Sequence, residues 1–589
     1  MMKSANLYSN PSKAWVRENI RRFWILPLME FLALFLIGIL PILINYSHYQ
    51  YILDYVNGSL MNNNYGIIAV FVICSIAMSV AVFSYIHGTA SSTVAHSFPI
   101  TRKRLFASSF WSGLVMLLIP VLIITIMYMM VSGAHLSADY DKSAFNPVEA
   151  AKVITLVHCL KWMVESSIII AFVYAMSNLA AIIAGNRVIH VLLAMLINGL
   201  PFALLQLFRI YEQEFLFGYP HDGRFAISML SPVSHAIRRS CYMGPSDIVP
   251  ELVYVAVVIL TTLISVWLYN KVQLERERSA CVFPKISDII CVIVTFMGMT
   301  LLALSLSYQI TTLDNGLIPK WIFILISLPS ALVFYIICRM IADGTTRIFN
   351  MSSLKKFGIY LILAAVFFSF TVFDATGYQK RIPELSQISC VDIDSNYETL
   401  GTIRLTSEAS IKNVISYHKA ILSDHGGSSW NVNGNVDLVT LSYRLKNGNT
   451  LKRSYTVPSY KKDIATSRAY KAIFYSREYR EKNIISYSPK MISRISLYNP
   501  EASGKQVYIY PEDYEAFIAA FNKDIINETI IARQTSHDIA SVEIMLKGKY
   551  STGEEAITPI TITKSDKNVL RFLKSDGYWA QYKKLNKDQ

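Results

Sequence analysis

Charged residues inside long apolar runs are the first candidates for chemistry in this chain. Glu30 lies about two helical turns into the apolar run that starts at Phe23. Lys161 and Glu165 are four residues apart, so they can pair on one face of a helix. An unpaired charge is costly inside a bilayer, which makes such residues default candidates for function. For the pair we favour an internal ion pair or a side chain reaching the membrane surface, and for Glu30 a functional role.

A second candidate is the short basic segment HSFPITRKRLFASSFW (residues 96–111), which separates two apolar runs. Pro99 fixes the entry to a turn, and Thr101 can cap the helix that starts at Arg102. Three consecutive cations at this position satisfy the rule that keeps Lys and Arg on the cytoplasmic side. They suit equally the docking of an acidic protein surface or of anionic lipid headgroups. Orientation signal and docking surface both remain open at this point.

Motifs for catalysis, metal binding and nucleotide hydrolysis are missing from the sequence. There is no GxxxxGK[ST] loop, and the SGKQ segment at 503–506 lacks the upstream glycine. No HExxH motif and no GxSxG motif occurs. Because the histidines are dispersed and the seven cysteines form no CxxC pair, we expect no catalytic residue, no metal site and no cofactor. A disulfide between Cys241 and Cys390 remains an open alternative.

The composition predicts the elements that must position these residues. The 589-residue chain is 53% hydrophobic and 16% charged, whereas soluble proteins have about a quarter of charged residues. Residues 1–377 contain only 25 of the 55 Lys and Arg residues, so charge is concentrated in residues 378–589. We expect a membrane protein with a C-terminal part of soluble composition. The net charge of +14 forms no basic stripe interleaved with aromatic residues, which argues against a nucleic-acid partner.

Nine apolar runs are long enough to cross a bilayer as helices, which takes about 20 residues. The runs are Phe23–Tyr46, Tyr65–His87, Leu105–Val131, Trp162–Ala184, Val188–Phe208, Leu252–Tyr269, Ile289–Leu313, Trp321–Cys338 and Phe357–Phe373. With the N-terminus inside, most of the cations of residues 1–377 fall on the cytoplasmic side. The charge pattern therefore predicts a multi-pass protein of the cell membrane with a cytoplasmic N-terminus and an extracytoplasmic C-terminal part.

The C-terminal part has the sequence patterns of a folded α+β domain. LVTLSYRLKNGNTLKRSYTV (438–457) contains two β-rich runs around Asn447-Gly448, a strong hairpin signal. EASIKNVISYHKAILSD and PEDYEAFIAAFNKDI have apolar residues at helical spacing, and SVEIMLKGKY and ITPITITK resemble strands. The predicted fold class is a mostly α-helical polytopic membrane protein with a C-terminal α+β extracytoplasmic domain, built as one domain or as two small units.

Two segments resemble ATP-binding-cassette (ABC) exporter permeases of the second type. SFPITRKRLFASSFWSGLVMLLIP resembles their short cytoplasmic connection and third span. The family pattern there is Leu or Phe, Pro, any residue, Ser or Thr, Arg and a later Leu, matched by Phe98, Pro99, Thr101, Arg102 and Leu105. NPSKAWVRENIRRFWILPLMEF (10–31) resembles the amphipathic interfacial helix that leads into the first span.

Two further segments continue the resemblance. LYNKVQLERERSACVFPKISD (268–288) resembles the exit from the six-span core, although Ser279-Ala280-Cys281 replaces the expected glycine or other small residues. FDATGYQKRIPELSQI (373–388) is similar to the junction in a subfamily from Gram-positive bacteria that adds three spans and an extracytoplasmic domain. The implied domains are a cytoplasmic amphipathic segment (1–22), a six-span permease core (23–270), a cytoplasmic connection (271–288), three additional spans (289–373) and an extracytoplasmic α+β domain (374–589).

The resemblance also implies function and partners. The chain would be the permease subunit of an exporter for an amphipathic compound, peptide or drug, and not itself an enzyme. Its partners would be an ABC ATPase subunit, a second permease subunit and membrane lipid. The implied ATPase-coupling residues are Phe98, Pro99, Thr101, Arg102, Lys103 and Arg104. The main alternative is a membrane receptor whose extracytoplasmic domain binds a peptide or envelope ligand, although no predicted cytoplasmic segment is long enough for an output module.

Overall fold

In the described residues up to Thr371 the long elements are helices, and two antiparallel sheets with further helices follow from Ile388. The computed structural model describes residues 11–44, 64–133, 156–220, 231–239, 248–272, 280–311, 318–395, 402–425, 436–458, 464–499, 506–527, 538–547, 554–556 and 560–585. Cys241, one half of the disulfide alternative, lies outside the described residues, and Cys390 is a buried free thiol.

Nine of the helices in these ranges are long and apolar enough to cross a membrane, which confirms the nine predicted helices. They are α2 (Ile25–Ile44), α3 (Tyr65–Val82), α5 (Arg102–Gly133), α6 (Leu156–Ile183), α7 (Arg187–Phe215), α9 (Ile248–Lys271), α10 (Pro284–Thr311), α11 (Lys320–Asp343) and α12 (Met351–Thr371). Three shorter helices are α1 (Pro11–Phe23), α4 (Thr89–Ser97) and α8 (Pro232–Arg239). Helix α2 contains a π turn at Phe35–Ile39.

Helix ends differ from the ends of the apolar runs by several residues. Helix α6 begins at Leu156, before the predicted Trp162, and α7 continues to Phe215. Polar and mixed turns continue the backbone hydrogen bonds of a helix after its apolar run has ended, so hydropathy alone misplaces these ends. The second run was predicted to reach His87, but α3 ends at Val82 and a 3-10 turn follows at Ser84–His87.

The chain divides into two units. Unit 1 comprises Met1–Arg209, Gly223–Ser305 and Ile324–Ala365. Its largest apolar core is formed by side chains of α2, α3, α5 and α6, including an edge-to-face contact between Tyr128 and Trp162 with ring centroids 5.2 Å apart. Unit 2 comprises Ile210–Asp222, Leu306–Phe323 and Val366–Gln589.

Helices α10, α11 and α12 meet in unit 1 at one close contact and one charge cluster. Gly298 lies so near Phe334 that an added Cβ would be 2.3 Å from the ring carbon Cδ1. Arg339 donates to Asp288 at 2.7 Å and to Asp343 at 2.8 Å. The Nζ of Lys356 also binds Asp288, at 2.8 Å, so two cations from two helices share one carboxylate.

Unit 2 contains two modules with a similar order of elements. In module 1, β1 (Ile388–Ser395), β2 (Ile403–Leu405), β3 (Val436–Leu445) and β4 (Thr450–Pro458) form a sheet in the order β2-β1-β3-β4. Helix α13 (Glu408–His425) lies between β2 and β3 in the chain, and α14 (Ala465–Phe474) and α15 (Arg477–Lys482) follow β4. The hairpin predicted at Asn447-Gly448 joins β3 to β4, and Gly448 has a φ of +84°.

Module 2 repeats this plan. Its sheet has the order β6-β5-β7-β8, with β9 also paired to β7. The strands are β5 (Ile492–Tyr498), β6 (Gln506–Ile509), β7 (Asp538–Lys547), β8 (Glu554–Ala556) and β9 (Ile560–Thr563), and the helices are α16 (Tyr514–Asn527), α17 (Lys567–Ser575) and α18 (Tyr578–Leu585). The α+β prediction is therefore confirmed, in the form of two small units.

The two modules also share details of register and of their cores. In each, the first strand shifts register at its second residue, between Ile388 and Cys390 and between Ile492 and Arg494. Buried residues recur at constant spacing in the two cores: Val391 and Ile495, Ile393 and Leu497, Leu405 and Ile509, Val414 and Ile518, Tyr417 and Phe521, and Ile421 and Ile525. Each module therefore has an apolar core of its own.

Candidate functional site

The basic connection between α3 and α5 is folded, and we call residues 84–104 the docking segment. Helix α4 ends at Ser97, Phe98 has an extended backbone, and α5 begins at Arg102. The backbone N–H of Arg104 donates to Oγ1 of Thr101 at 3.4 Å, which confirms the predicted cap. The sequence prediction of a capped turn at this position is therefore correct.

The coupling candidates lie mostly on the surface of this segment. Phe98 is 45% exposed although it is aromatic. Pro99, Thr101, Lys103 and Arg104 are also exposed. Arg102 is half-buried, because its Nη1 donates to the backbone oxygen of Val272 at 3.1 Å. Residues 84–104 contain no Asp or Glu, so this exposed face is basic.

The inner side of the docking segment is fixed to the end of α9. The Nδ1 of His96 donates to the backbone oxygen of Ser92 at 2.8 Å, so in neutral His96 the other ring nitrogen is an acceptor. That nitrogen, Nε2, lies 3.1 Å from the hydroxyl of Tyr269, which therefore donates to it. The hydroxyl of Tyr85 lies 3.4 Å from the hydroxyl of Tyr269. This chain of hydrogen bonds joins the 3-10 turn, α4 and α9.

Helix α1 supports the same segment from a second direction. The ring of Trp15 packs edge to face against Tyr85 at 5.3 Å and against Phe98 at 6.0 Å between centroids. Its Nε1 donates to Oγ of Ser109 at 2.9 Å. The side-chain amide of Asn19 donates to Oγ of Ser112 at the same distance. The exposed ring of Phe98 is therefore held by α1, and α1 is held by α5.

A buried polar cluster that the sequence did not predict lies close by in unit 1. The Nε2 of His87 and the Nδ1 of His190 are 3.1 Å apart, and Nε2 of His190 donates to the backbone oxygen of Ser177 at 3.0 Å. Oγ of Ser79 donates to Oδ1 of Asn178 at 2.7 Å. Burial, together with the charges of His190 and Arg187, lowers the pKa of His87 to about 3.

His87 and His190 are 103 residues apart in the sequence. No sequence pattern near either histidine predicts their contact. Within the described ranges, no three His, Cys, Asp or Glu side chains are grouped so that they could hold a metal ion. The cluster is thus a buried hydrogen-bond network among α3, α6 and α7, in which the neutral form of His87 prevails at neutral pH.

The charged candidates within the apolar helices have different surroundings. Nζ of Lys161 lies 3.9 Å from Oε1 of Glu165, which confirms the predicted pair on one face of α6. Glu30 is 0% exposed, and neither of its carboxylate oxygens has a hydrogen-bond partner among the described residues. Glu30 and the Lys161–Glu165 pair are therefore separate features.

Residues 84–104 give unit 1 an exposed basic surface. It combines exposed cations and an exposed aromatic ring with a backbone that α1, α5 and α9 hold in place. A surface of this composition is suited to contacts by charge and by apolar packing. Comparison with known proteins finds no matching protein-family model, no matching curated protein and no matching solved structure.

Proposed function

We propose that this chain is the membrane-spanning permease subunit of an ABC transporter that exports an amphipathic compound, peptide or drug. In this proposal the nine long apolar helices cross the cell membrane, with the N-terminus in the cytoplasm and the two modules outside. A separate ATPase subunit docks on residues 84–104 and supplies the energy. A second permease subunit, of the same or a different sequence, completes the path.

The construction of the docking segment is the observation that carries this proposal. A coupling surface must pass a movement of the bound partner to the helices around the path. Phe98 touches Trp15 of α1, Arg102 binds the residue after α9, and His96 binds Tyr269 of α9. A force applied to this surface therefore reaches α1, α5 and α9 together, because each contact is a direct packing or hydrogen-bond contact.

Purification of the native complex tests the proposal. We would isolate the chain from its own membranes in mild detergent and quantify any ABC ATPase by mass spectrometry. A variant with Arg102→Gln, Lys103→Gln and Arg104→Gln should retain about tenfold less ATPase, because charge pairs between these three cations and the partner would contribute about 0.5 kcal/mol each. Reporter fusions would verify that the variant keeps the topology of the native chain.

A matched control separates docking from total charge. The variant Lys285→Gln, Arg347→Gln and Lys355→Gln removes the same charge from three exposed cations outside the docking segment. It should retain the ATPase at the native level. Absence of an ATPase from the native preparation would contradict the proposal and favour the receptor alternative. Equal loss of the ATPase from both variants would show that total charge, and not the docking segment, determines its binding.

A further inference from the structure

Glu30 is a fully buried carboxyl group with no polar contact to satisfy it. It lies in the core of α2, α3 and α5, and its sequence neighbours Met29 and Phe31 are apolar. Both oxygens lack a hydrogen-bond partner among the described residues. No Lys, Arg or His in the described part of the chain forms an ion pair with it.

In the described structure, α3 brings a titratable group to Glu30. Cys74 of α3 lies close enough for the charges of the two groups to interact. Helix α5 has no charged residue between Leu105 and Val131, and the cations of α1 form no ion pair with Glu30 in the described structure. A thiol cannot compensate a buried carboxylate, because it carries no positive charge and is a weak donor.

The cost of an unpaired buried charge decides the state of this group. An ionised carboxylate without partners costs many kcal/mol in an apolar interior, and such groups become neutral instead. Binding of a proton neutralises the Glu30 carboxylate without the help of another side chain. We propose that Glu30 is a proton-binding site, which holds a proton in the conformation described and releases it when the packing around α2 opens.

The shape of α2 supplies a place for such a change. The π turn at Phe35–Ile39 begins little more than one helical turn after Glu30, and π turns interrupt regular helices mostly at functional positions. Gly38 in this turn approaches the hydroxyl of Tyr128, since an added Cβ would lie 2.7 Å from that oxygen. A change of packing at this turn alters the surroundings of Glu30, on which the retention of the proton depends.

Infrared spectroscopy of the purified full-length protein tests the proposal without a transport assay. At neutral pH the native protein should show the carbonyl stretching band of a protonated carboxylic acid, and Glu30→Gln should lose it. Glu165→Gln should keep the band, because Glu165 is paired with Lys161. Identical spectra of the native protein and Glu30→Gln in this region would overturn the proposal. Glu30→Gln keeps the size of the side chain, and a native-like thermal unfolding curve would verify that it is folded.

Chemical labelling gives an independent readout. Dicyclohexylcarbodiimide takes the proton of a carboxylic acid onto its nitrogen while the carboxylate oxygen bonds to its carbon, and the adduct rearranges to a stable N-acylurea. Labelling followed by peptide mass spectrometry should modify Glu30 several-fold more than Glu165. More label on Glu165 than on Glu30 would count against a protonated Glu30. Neither readout depends on an ATPase partner, so this inference and the proposed function fail separately.

Discussion

In unit 2 the side chain of Glu478 connects two elements by hydrogen bonds. The carboxylate of Glu478 accepts from the backbone N–H of Thr406 at 2.7 Å and of Ser407 at 3.1 Å. It also accepts from Nζ of Lys482 at 3.0 Å. Burial raises the pKa of Glu478, but the hydrogen bonds from Ser407 and Thr406 outweigh burial and hold it far below its usual range. This one carboxylate fixes α15 to the end of β2.

We predict that Glu478→Gln destabilises module 1 by about 2 kcal/mol, because hydrogen bonds to a charged group are lost. The folded protein lowers the pKa of this carboxyl, so its contribution is present above the ordinary pKa and is lost as the pH falls. The difference between native and variant should shrink below about pH 4.3, measured by thermal unfolding at several pH values.

Glu481→Gln is the matched control for this prediction. Glu481 lies on the same helix and pairs with Arg477, but its side chain is 57% exposed, against 16% for Glu478. An exposed pair contributes about 0.5 kcal/mol or less, so this variant should unfold almost like the native protein. Equal effects of the two substitutions would refute the role assigned to Glu478.

Between elements, small residues set how closely the long helices approach. Gly298 of α10 faces the ring of Phe334 on α11, with no room for a methyl group. Gly358 of α12 has no atom within 4 Å of an added Cβ. Both glycines are in helices, so their backbone preferences are alike and only their surroundings differ. Close helix packing at small residues is typical of helices that associate in membranes.

Gly298→Ala should lower stability by about 1–3 kcal/mol, because the ring of Phe334 must move to admit the methyl group. Gly358→Ala should leave stability unchanged or raise it by about 0.5–1 kcal/mol, since alanine favours helices. Thermal unfolding of the two variants in the same detergent measures the difference. A stabilising Gly298→Ala would contradict the close contact.

For the molecule as a whole, module 1 is joined within unit 2 to the segment that follows α7. The backbone N–H of Ser454 donates to the backbone oxygen of Gly218 at 3.2 Å, and the ring of Phe217 contacts Tyr455. The guanidinium of buried Arg453 lies 3.7 Å from the ring centroid of Tyr378. Its Nη2 donates to the backbone oxygen of Tyr378 at 2.9 Å. The strand edge and the aromatic contact thus attach module 1 to the segment after α7, and the cation–π contact attaches it to the segment after α12.

Gly218→Ala should loosen this attachment. Gly218 has a φ of +79°, and an added Cβ would lie 2.4 Å from Cε1 of Tyr455. Gly377→Ala is the control, because Gly377 also has a positive φ of +65° but has open space around it. Hydrogen exchange should speed up at the amide of Ser454 in Gly218→Ala, and change little there in Gly377→Ala. Equal hydrogen exchange at Ser454 in both variants would show that backbone strain at the glycine, and not the contact with Tyr455, loosens the attachment.

The sequence by itself determined the features that depend on local pattern. Apolar runs predicted the nine long helices, and Thr101 predicted the helix start at Arg102. The spacing of Lys161 and Glu165 predicted an ion pair, and Asn447-Gly448 predicted a hairpin. Each is set by neighbours within a few residues, whose sterics, capping and hydropathy are readable in order along the chain.

Only the tertiary structure decided what residues distant in the chain do together. The contact between His87 and His190, the support of Phe98 by Trp15 and the isolation of Glu30 depend on helix rotation and packing, which periodicity does not specify. The similarity of the two modules was not predicted for the same reason: equivalent core positions hold different apolar residues, such as Leu405 and Ile509. Apolar residues of similar size fill equivalent core positions, so a fold is repeated without repeating its sequence.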